Sequence, residues 1–267
     1  MDPLQDAIRL AIAQMPPRDT KRSVPPRESL MALATEAQEF VEATRNAMAE
    51  GAGGPRTKKR VVVCGLLAYA LDIAWSCCHL LRTRPMETHI AVLTLWRPLF
   101  ETWSRAAFFA LEATEDEIDA FRDKGAVPRR PWPSRPDKPQ DINPRLIARL
   151  IGPKISPDDP ELLNRLADEV ADWHALVHGG ATVVDIYDGG DTLQSQVSPD
   201  NMALKVNRVA IVAFLIAIIA LNLSVDEGRR NEVEGIAANL EAKIRAFQAR
   251  WPQHLPRGEH KETESRP

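Results

Sequence analysis

The sequence predicts an all-α protein, a multi-helix bundle with one short irregular or hairpin insertion. Long stretches rich in Ala, Leu, Glu and Arg carry apolar residues three and four positions apart, which is the period of an amphipathic helix. No segment sustains the two-residue alternation of a half-buried strand. Hydrophobic residues make up 44% and charged residues 27% of the 267-residue chain, which is typical of a folded protein. We expect one helical domain over residues 1–250, with its core at about 60–223, and a disordered tail at 251–267.

Prolines and glycines delimit the helices of the N-terminal half, because neither residue continues a helix easily. Helices are expected up to residue 16, from 27 to about 50, from 60 to 81 and from about 86 to 112. The third is apolar nearly all round, which is typical of a buried helix. Inside the fourth, Pro98 removes one helical hydrogen bond, so we expect either a kink or a new helix that begins there.

Two features mark the middle of the chain. Thr114 and Glu117 have the spacing of a capping box, in which the Thr hydroxyl accepts a backbone N–H and the Glu side chain reaches back. A short helix should therefore begin at residue 115 and run to about 124. Residues 125–139 hold five prolines among four basic side chains. That is too many prolines for a regular element, so the sequence predicts a basic surface loop.

Further helices follow in the C-terminal half. They are expected from 144, from 157 or 160 to 178, from 199 to about 223 and from about 226 to 250. The second of these should stop immediately after His178, because Gly179-Gly180 can supply a left-handed cap. Residues 181–197 contain Asp188-Gly189-Gly190 and are predicted to form a small hairpin or an ordered loop.

Charge and cysteine content indicate the compartment. The formal net charge is −3 and the isoelectric point is about 6.1, so no global basic field favours nucleic acid. The chain has three cysteines, Cys64, Cys77 and Cys78, in apolar helical sequence and without the spacing of metal ligands. We expect them to be buried, reduced thiols. The apolar run at 209–221 is shorter than the roughly 18–20 residues that cross a bilayer. We expect a cytoplasmic chain with no integral membrane segment, and peripheral membrane contact is the alternative.

Three charged residues on the helix at 86–112 form the first candidate site. Arg97, Glu101 and Arg105 are spaced four apart, so they lie on one helix face, with a carboxylate between two guanidinium groups. The planar fork of arginine fits phosphate or carboxylate, and an ionised Glu can orient both arginines. The apolar residues around them favour partial burial of these charges. A surface charge ladder is the alternative interpretation.

A pair of histidines forms the second candidate site. His174 and His178 are also four apart on one helix face. Histidine exchanges protons near neutral pH, and the negative end of a helix favours protonation of His178, which indicates a general acid or base. The alternative is a helix-terminal His bonded to the following turn. No metal is predicted, because the residue after His174 is not the Glu of H-E-x-x-H and a third ligand such as Glu101 would be needed.

The basic segment at 125–139 supplies a candidate binding site. This segment interleaves cations with an aromatic ring at Arg129, Arg130, Trp132 and Arg135, which can hold single-stranded nucleic acid by charge and stacking. A solvated loop is the alternative. The sequence holds no phosphate-binding loop, dinucleotide motif or nucleophile elbow, and we predict no cofactor.

Two motifs carry a family resemblance. LTLWRPLFETWSRAAFFALEATEDEIDAF, followed about fifty residues later by WHALVHGG, resembles a group of bacterial all-helical proteins related to the abortive-infection V type. That group has an Arg-Pro-Leu-x-Glu helix and a later helix that ends in a His before small residues. The resemblance covers about residues 60–223. Over this range the chain also resembles a distant branch of the HEPN superfamily. It implies a homodimer and a role in bacterial stress or phage defence.

The resemblance also implies an activity, because HEPN proteins often cut RNA without metal, using an Arg and a His near the dimer interface. His178 matches the motif histidine. The usual motif places an Arg four to six residues earlier, where this chain has Asp172, Trp173 and His174, so Arg97 or Arg105 would have to supply the cation.

Two functions of different classes follow. In the first, a metal-independent ribonuclease, His178 exchanges a proton with RNA, Arg97 and Arg105 stabilise the phosphorane, and Glu101 holds the arginines. The alternative is a non-catalytic helical module whose Arg-Glu-Arg face binds a partner or a small anion such as a nucleotide. The expected ligand is thus RNA or a small anion.

Overall fold

A computed structural model describes residues 27–132, 135–157, 159–172, 177–188, 197, 199–224 and 228–250. Within these ranges the all-α fold class is confirmed, and the insertion is one antiparallel hairpin. The elements in chain order are α1 (Arg27–Glu50), α2 (Lys58–Thr83), α3 (Pro85–Leu111), α4 (Glu115–Lys124), β1 (Arg129–Trp132), β2 (Arg135–Asp141), α5 (Pro144–Ile155), α6 (Leu162–Asp172), α7 (Ala181–Tyr187), α8 (Pro199–Asn222) and α9 (Arg230–Arg250). The helix predicted before residue 16, and the tail at 251–267, lie outside the described residues.

The core lies among α1, α2, α3 and α8, which pack on one another. Helix α8 is its centre, because every residue from 209 to 221 is buried. A single residue, Arg84, separates α2 from α3, and its N–H donates to the carbonyl of Leu80 at 2.9 Å. The largest fully buried side chains come mainly from α3: Trp96, Phe100, Trp103, Phe108 and Phe109. Helix α3 therefore carries its candidate charges on the edge of the densest part of the core.

Helix α3 continues through Pro98 without a break, so the expectation of a new helix at that residue is wrong. Proline lacks an N–H, and the carbonyl of Thr94 therefore has no intrahelical donor at that position. Leu99, Phe100 and Trp103 are each at most 1% exposed, and their packing on the core holds the helix together across the interruption.

The capping box at the start of α4 is confirmed. The Thr114 hydroxyl accepts a hydrogen bond from the Glu117 N–H at 3.3 Å, and the Glu117 carboxylate accepts from the Thr114 N–H at 2.9 Å. Helix α4 ends at Gly125, whose φ of 65° is the left-handed conformation that favours glycine.

The prediction of an irregular basic loop at 125–139 is wrong, because the chain forms the β1–β2 hairpin there. Pro131 stands opposite Pro139 in the register. Proline disrupts a sheet where its missing N–H is needed by a neighbouring strand, but in a two-stranded ribbon both strands are edges. Prolines are therefore tolerated on the outward-facing positions, and the segment keeps its backbone pairing.

The segment after α6 also differs from the prediction. Residues 181–187 form the short helix α7 instead of a hairpin or loop, with Gly180 as its N-cap in extended conformation. Residues 189–196 lie outside the described part of the chain. Gly179 has a φ of 68°, which confirms the left-handed turn expected immediately after His178.

Helices α5 and α6 are brought together at a glycine. A Cβ atom at Gly152 would lie 2.6 Å from the carbonyl oxygen of Pro160, so no larger residue fits without a shift of the backbone. This close approach sets α6 against α5, and both helices then contribute side chains to the cavity described below.

Two helices are long and apolar enough, by length and composition alone, to cross a membrane: α2 over Lys58–Thr83 and α8 over Asn201–Asn222. One or two such helices are weak evidence, because the core helix of a soluble protein passes the same test. In α8, 89% of the apolar window is buried inside the protein, against 50% in α2. The cytoplasmic location and the absence of an integral membrane segment stay predictions.

The three cysteines are free thiols. Burial raises the pKa of Cys77 to about 12 and holds the pKa of Cys78 well above its ordinary value. Cys64 is only partly buried, and burial raises its pKa as well. All three thiols are therefore protonated near neutral pH.

Candidate functional site

A cavity of about 860 Å³ lies between α3, the β1–β2 hairpin, α5 and α6, and we call it the basic cavity. Its lining is Arg97, Glu101, Trp132, Arg135, Lys138, Pro139, Gln140, Asn143, Pro144, Arg145, Ala167 and Val170. Four of these side chains are basic and one is acidic. Four of the residues singled out from the sequence, on α3, β1 and β2, therefore line the same cavity.

Helix α3 contributes an ion pair to the cavity wall. The Nε of Arg97 donates to the Oε1 of Glu101 at 2.7 Å, as the four-residue spacing requires. The two side chains are 20% and 30% exposed, so they are shielded from most of the solvent but open to the cavity. The carboxylate fixes the direction of the guanidinium at the cavity wall.

Arg105 lies one turn beyond Glu101 and is not part of the cavity lining. It is partly buried, and its Nε has no hydrogen-bond partner in the structure. The three-residue stripe predicted on α3 is therefore divided: Arg97 and Glu101 face the basic cavity, and Arg105 does not line it.

The hairpin contributes Trp132, Arg135 and Lys138 to the cavity lining. Arg135 and Lys138 are exposed, and no carboxylate of the described residues forms an ion pair with either of them. The guanidinium carbon of Arg149, on α5, lies 4.8 Å from the centre of the Trp132 ring. This cation–π contact covers one face of the ring and fixes its orientation.

The start of α5 closes the cavity. Asn143 caps the helix, because its Oδ1 accepts a hydrogen bond from the Leu146 N–H at 3.0 Å. Arg145 lines the cavity and pairs with Asp168 of α6 at 2.7 Å. Both members of that pair are more than half exposed, so the pair leaves the guanidinium accessible and contributes little stability.

The other two predicted binding residues of the hairpin, Arg129 and Arg130, form contacts that hold the hairpin in place. Both terminal nitrogens of Arg130 donate to the carboxylate of Glu117, one of them at 2.6 Å, and its guanidinium lies 5.5 Å from the ring centre of Phe108. Arg129 donates to the carbonyl of Pro139 at 2.8 Å and lies 3.4 Å from Asp141. Arg130 thus ties the hairpin to α4, and Arg129 ties β1 to β2.

The same contacts shift the ionisation of Glu117. Partial burial raises its pKa, but the hydrogen bonds from Arg130 and from the Thr114 N–H outweigh that effect, and the pKa is lowered overall. Glu117 therefore stays charged and keeps hold of the hairpin well into the acidic range.

Of the two predicted histidines, the structure describes only His178. His178 lies in the exposed turn that follows Val177, and it does not belong to the cavity lining. His174 lies outside the described residues. No group of three His, Cys, Asp or Glu side chains within the described ranges is arranged to hold a metal ion.

Sequence reasoning missed the cavity residues Lys138 and Arg145 and the supporting Arg149. Arg145 and Arg149 carried a signal, because they are four apart on one face of a helix that begins after Asn143-Pro144. Lys138 carried none, because its orientation depends on a hairpin that the prolines in this segment argue against. Neither the protein-family models nor the curated proteins nor the solved structures gave a match to this chain.

Proposed function

We propose that this chain is a helical binding module for a small anionic ligand, which it holds in the basic cavity. The observation that carries the proposal is the convergence of Arg97, Arg135, Lys138 and Arg145 on one cavity, where the lining residues that the structure describes include one carboxylate, that of Glu101. These four residues come from α3, β2 and α5, which are distant in the sequence. Like charges repel, and a fold that gathers them around a concave site favours an anion there.

The guanidinium and ammonium groups suit phosphate in particular. Arginine presents paired N–H donors that match phosphate oxygens, and lysine adds a mobile point charge. Arg97 is already oriented by Glu101 at 2.7 Å, so binding costs little side-chain entropy at that residue. Arg135 and Lys138, which form no ion pair with a carboxylate of the described residues, supply net positive charge on the hairpin side of the cavity.

The first test is a titration of the purified chain with pyrophosphate, measured by isothermal calorimetry at low and at moderate salt. In the variant Arg135→Glu with Lys138→Glu we expect at least a tenfold loss of affinity, since about 1.4 kcal/mol corresponds to a factor of ten and two charges are reversed. The matched control reverses two exposed charges outside the cavity, Arg122→Glu with Lys124→Glu, and should bind as the natural chain does. Equal affinity of the two variants, or no saturable binding by the natural chain, contradicts the proposal.

The ribonuclease hypothesis stays a prediction. It requires His178 to reach a phosphate held by Arg97 or Arg105, and within the described part of one chain His178 is not among the residues that line the basic cavity. Its test is incubation of RNA with the chain in the presence of a chelator. The hypothesis expects cleavage that His178→Ala abolishes without a change in the melting temperature. Full cleavage by purified His178→Ala would exclude that role.

The role in phage defence and the homodimer rest on the resemblance alone and also stay predictions. Light scattering of the purified chain measures its mass directly, and a mass of about 29.7 kDa would contradict the dimer.

A further inference from the structure

We propose that the ligand of the basic cavity is a ribonucleoside polyphosphate, with its phosphates between the hairpin and α5, its base on Trp132 and its sugar hydroxyls at Glu101. This inference rests on the proposed function and names the class of anion. It follows from the cavity residues that an inorganic anion would not use.

The phosphates are assigned to the basic side chains of two separate elements. Arg135 and Lys138 belong to β2, whereas Arg145 stands in the first turn of α5. A single phosphate has one cluster of oxygens, but these cations come from two separate elements that line a cavity of about 860 Å³. Two or more linked phosphates can engage both elements together. A cavity of this size is typical of sites for one small molecule, which favours a mononucleotide over a folded nucleic acid.

The base is assigned to Trp132. Its ring lines the cavity, packs partly against the hydrophobic core and is covered on one face by Arg149 at 4.8 Å. Because Arg149 covers one face and the ring lines the cavity, we assign the base to the other face, since every nucleobase can stack on an indole. The guanidinium behind the indole keeps the ring in place without competing for that face.

The sugar is assigned to Glu101, the one carboxylate among the described residues of the lining. This carboxylate orients Arg97 with one oxygen, and its other oxygen can serve a ligand. Arg97 occupies its Oε1 at 2.7 Å, and none of the described residues donates to its Oε2. A carboxylate oxygen accepts hydrogen bonds from ribose hydroxyls, which a nucleotide has and inorganic pyrophosphate lacks.

The test compares pyrophosphate with adenosine, guanosine, cytidine and uridine diphosphates by calorimetry on the full chain. In the natural chain, at least one diphosphate should bind about tenfold tighter than pyrophosphate, because stacking and hydroxyl contacts add to the phosphate contacts. In Trp132→Leu that advantage should disappear, so that the ratio of the nucleoside diphosphate affinity to the pyrophosphate affinity falls to about one; this ratio is the readout, because Trp132 also lines the cavity that holds pyrophosphate. The matched control is Trp75→Leu, since Trp75 is also partly exposed but stacks on His79 outside the cavity.

A second variant tests the sugar contact. Glu101→Gln should reduce the preference for the ribonucleotide over its 2′-deoxy form. Because Glu101 also orients Arg97, the ratio of the two nucleotide affinities is the readout, and the pyrophosphate affinity reports the effect on Arg97. Thermal melts of each variant show whether it is folded.

The outcomes separate this inference from the proposed function. If pyrophosphate binds and no nucleotide binds tighter, the inference is overturned and the anion-binding module stands. If neither pyrophosphate nor any nucleotide binds, both are overturned. Tighter binding of a single-stranded RNA oligomer than of every mononucleotide also overturns the inference, because the ligand would then be a polymer. Selective loss of the nucleotide advantage in Trp132→Leu supports it.

Discussion

At the scale of single residues, Glu117 performs two tasks with one carboxylate. It closes the capping box at the start of α4 through the Thr114 N–H, and it holds the hairpin through Arg130. The helix start and the cavity wall therefore depend on the same charge. Glu101 also has two roles. Its carboxylate reduces the net positive charge of the basic cavity, and it orients the guanidinium of Arg97 there.

The pKa of Glu117 gives a prediction for stability against pH. Its pKa in the folded chain is lowered from 4.5, so the stabilisation by its charge is present above pH 4.5 and is lost as the pH falls through the folded pKa. Glu117→Gln lacks this contribution at every pH. We therefore expect Glu117→Gln to lower the melting temperature at pH 7, and the difference from the natural chain to shrink toward pH 3.

The control for this prediction is Glu115→Gln, which removes an exposed charge from the same first turn of α4. It should shift the melting temperature less at pH 7. Parallel melting curves for Glu117→Gln and the natural chain across this range would contradict the role assigned to Glu117.

At the scale of elements, the hairpin and α3 show where sequence reasoning succeeds and where it fails. The cap at Thr114 and the left-handed turn at Gly179 were predictable, because each depends on neighbours within a few residues. The hairpin was not, because strand formation there depends on pairing across the ribbon and proline counts against it locally. The Arg97–Glu101 pair was predictable from helix spacing, whereas its approach to Arg135 and Arg145 depends on tertiary packing.

Helix α3 carries a prediction at Pro98. Pro98→Ala restores the N–H that can donate to the carbonyl of Thr94, and proline inside a helix costs about 3 kcal/mol relative to alanine. Because the packing around Pro98 has accommodated the ring, we expect the free energy of unfolding to rise by about 1–3 kcal/mol. Urea unfolding followed by circular dichroism measures this change.

Thr102→Ala on the same helix serves as the comparison, since it changes helix propensity alone by about 0.5 kcal/mol. A gain at Pro98 no larger than that at Thr102 would mean that the missing hydrogen bond costs nothing in this fold.

At the scale of the whole molecule, stability is concentrated in the packing of α1, α2 and α3 around α8. Side chains of α8 are buried on all sides, and its polar Asn207 is bonded to Gln248 of α9, which attaches the last helix to the same core. The basic cavity lies outside this core, between α3 and the elements from the hairpin to α6. Of the four core helices α1, α2, α3 and α8, only α3 also contributes described residues to the lining of the basic cavity.

The packing of the core gives a prediction for stability. Phe214 in α8 is fully buried, so Phe214→Ala should lower the free energy of unfolding by about 3–5 kcal/mol through lost burial and the cavity left behind. Tyr69→Ala is the control, because Tyr69 is 58% exposed and its loss should change stability by no more than about 0.5 kcal/mol. Similar losses for the two variants in urea unfolding would show that α8 is not the centre of the core.

The two ends of the hairpin are neighbours, because the Ile142 N–H donates to the Pro128 carbonyl at 3.0 Å. The chain thus leaves the bundle and returns to it at one point, and the segment between can change without redirecting α4 or α5. The hairpin is therefore a segment that can be replaced as a unit. A related chain could keep the same helical scaffold and acquire a different ligand by replacing the segment that carries Trp132, Arg135 and Lys138, so ligand specificity can diversify here while the core is conserved by its packing.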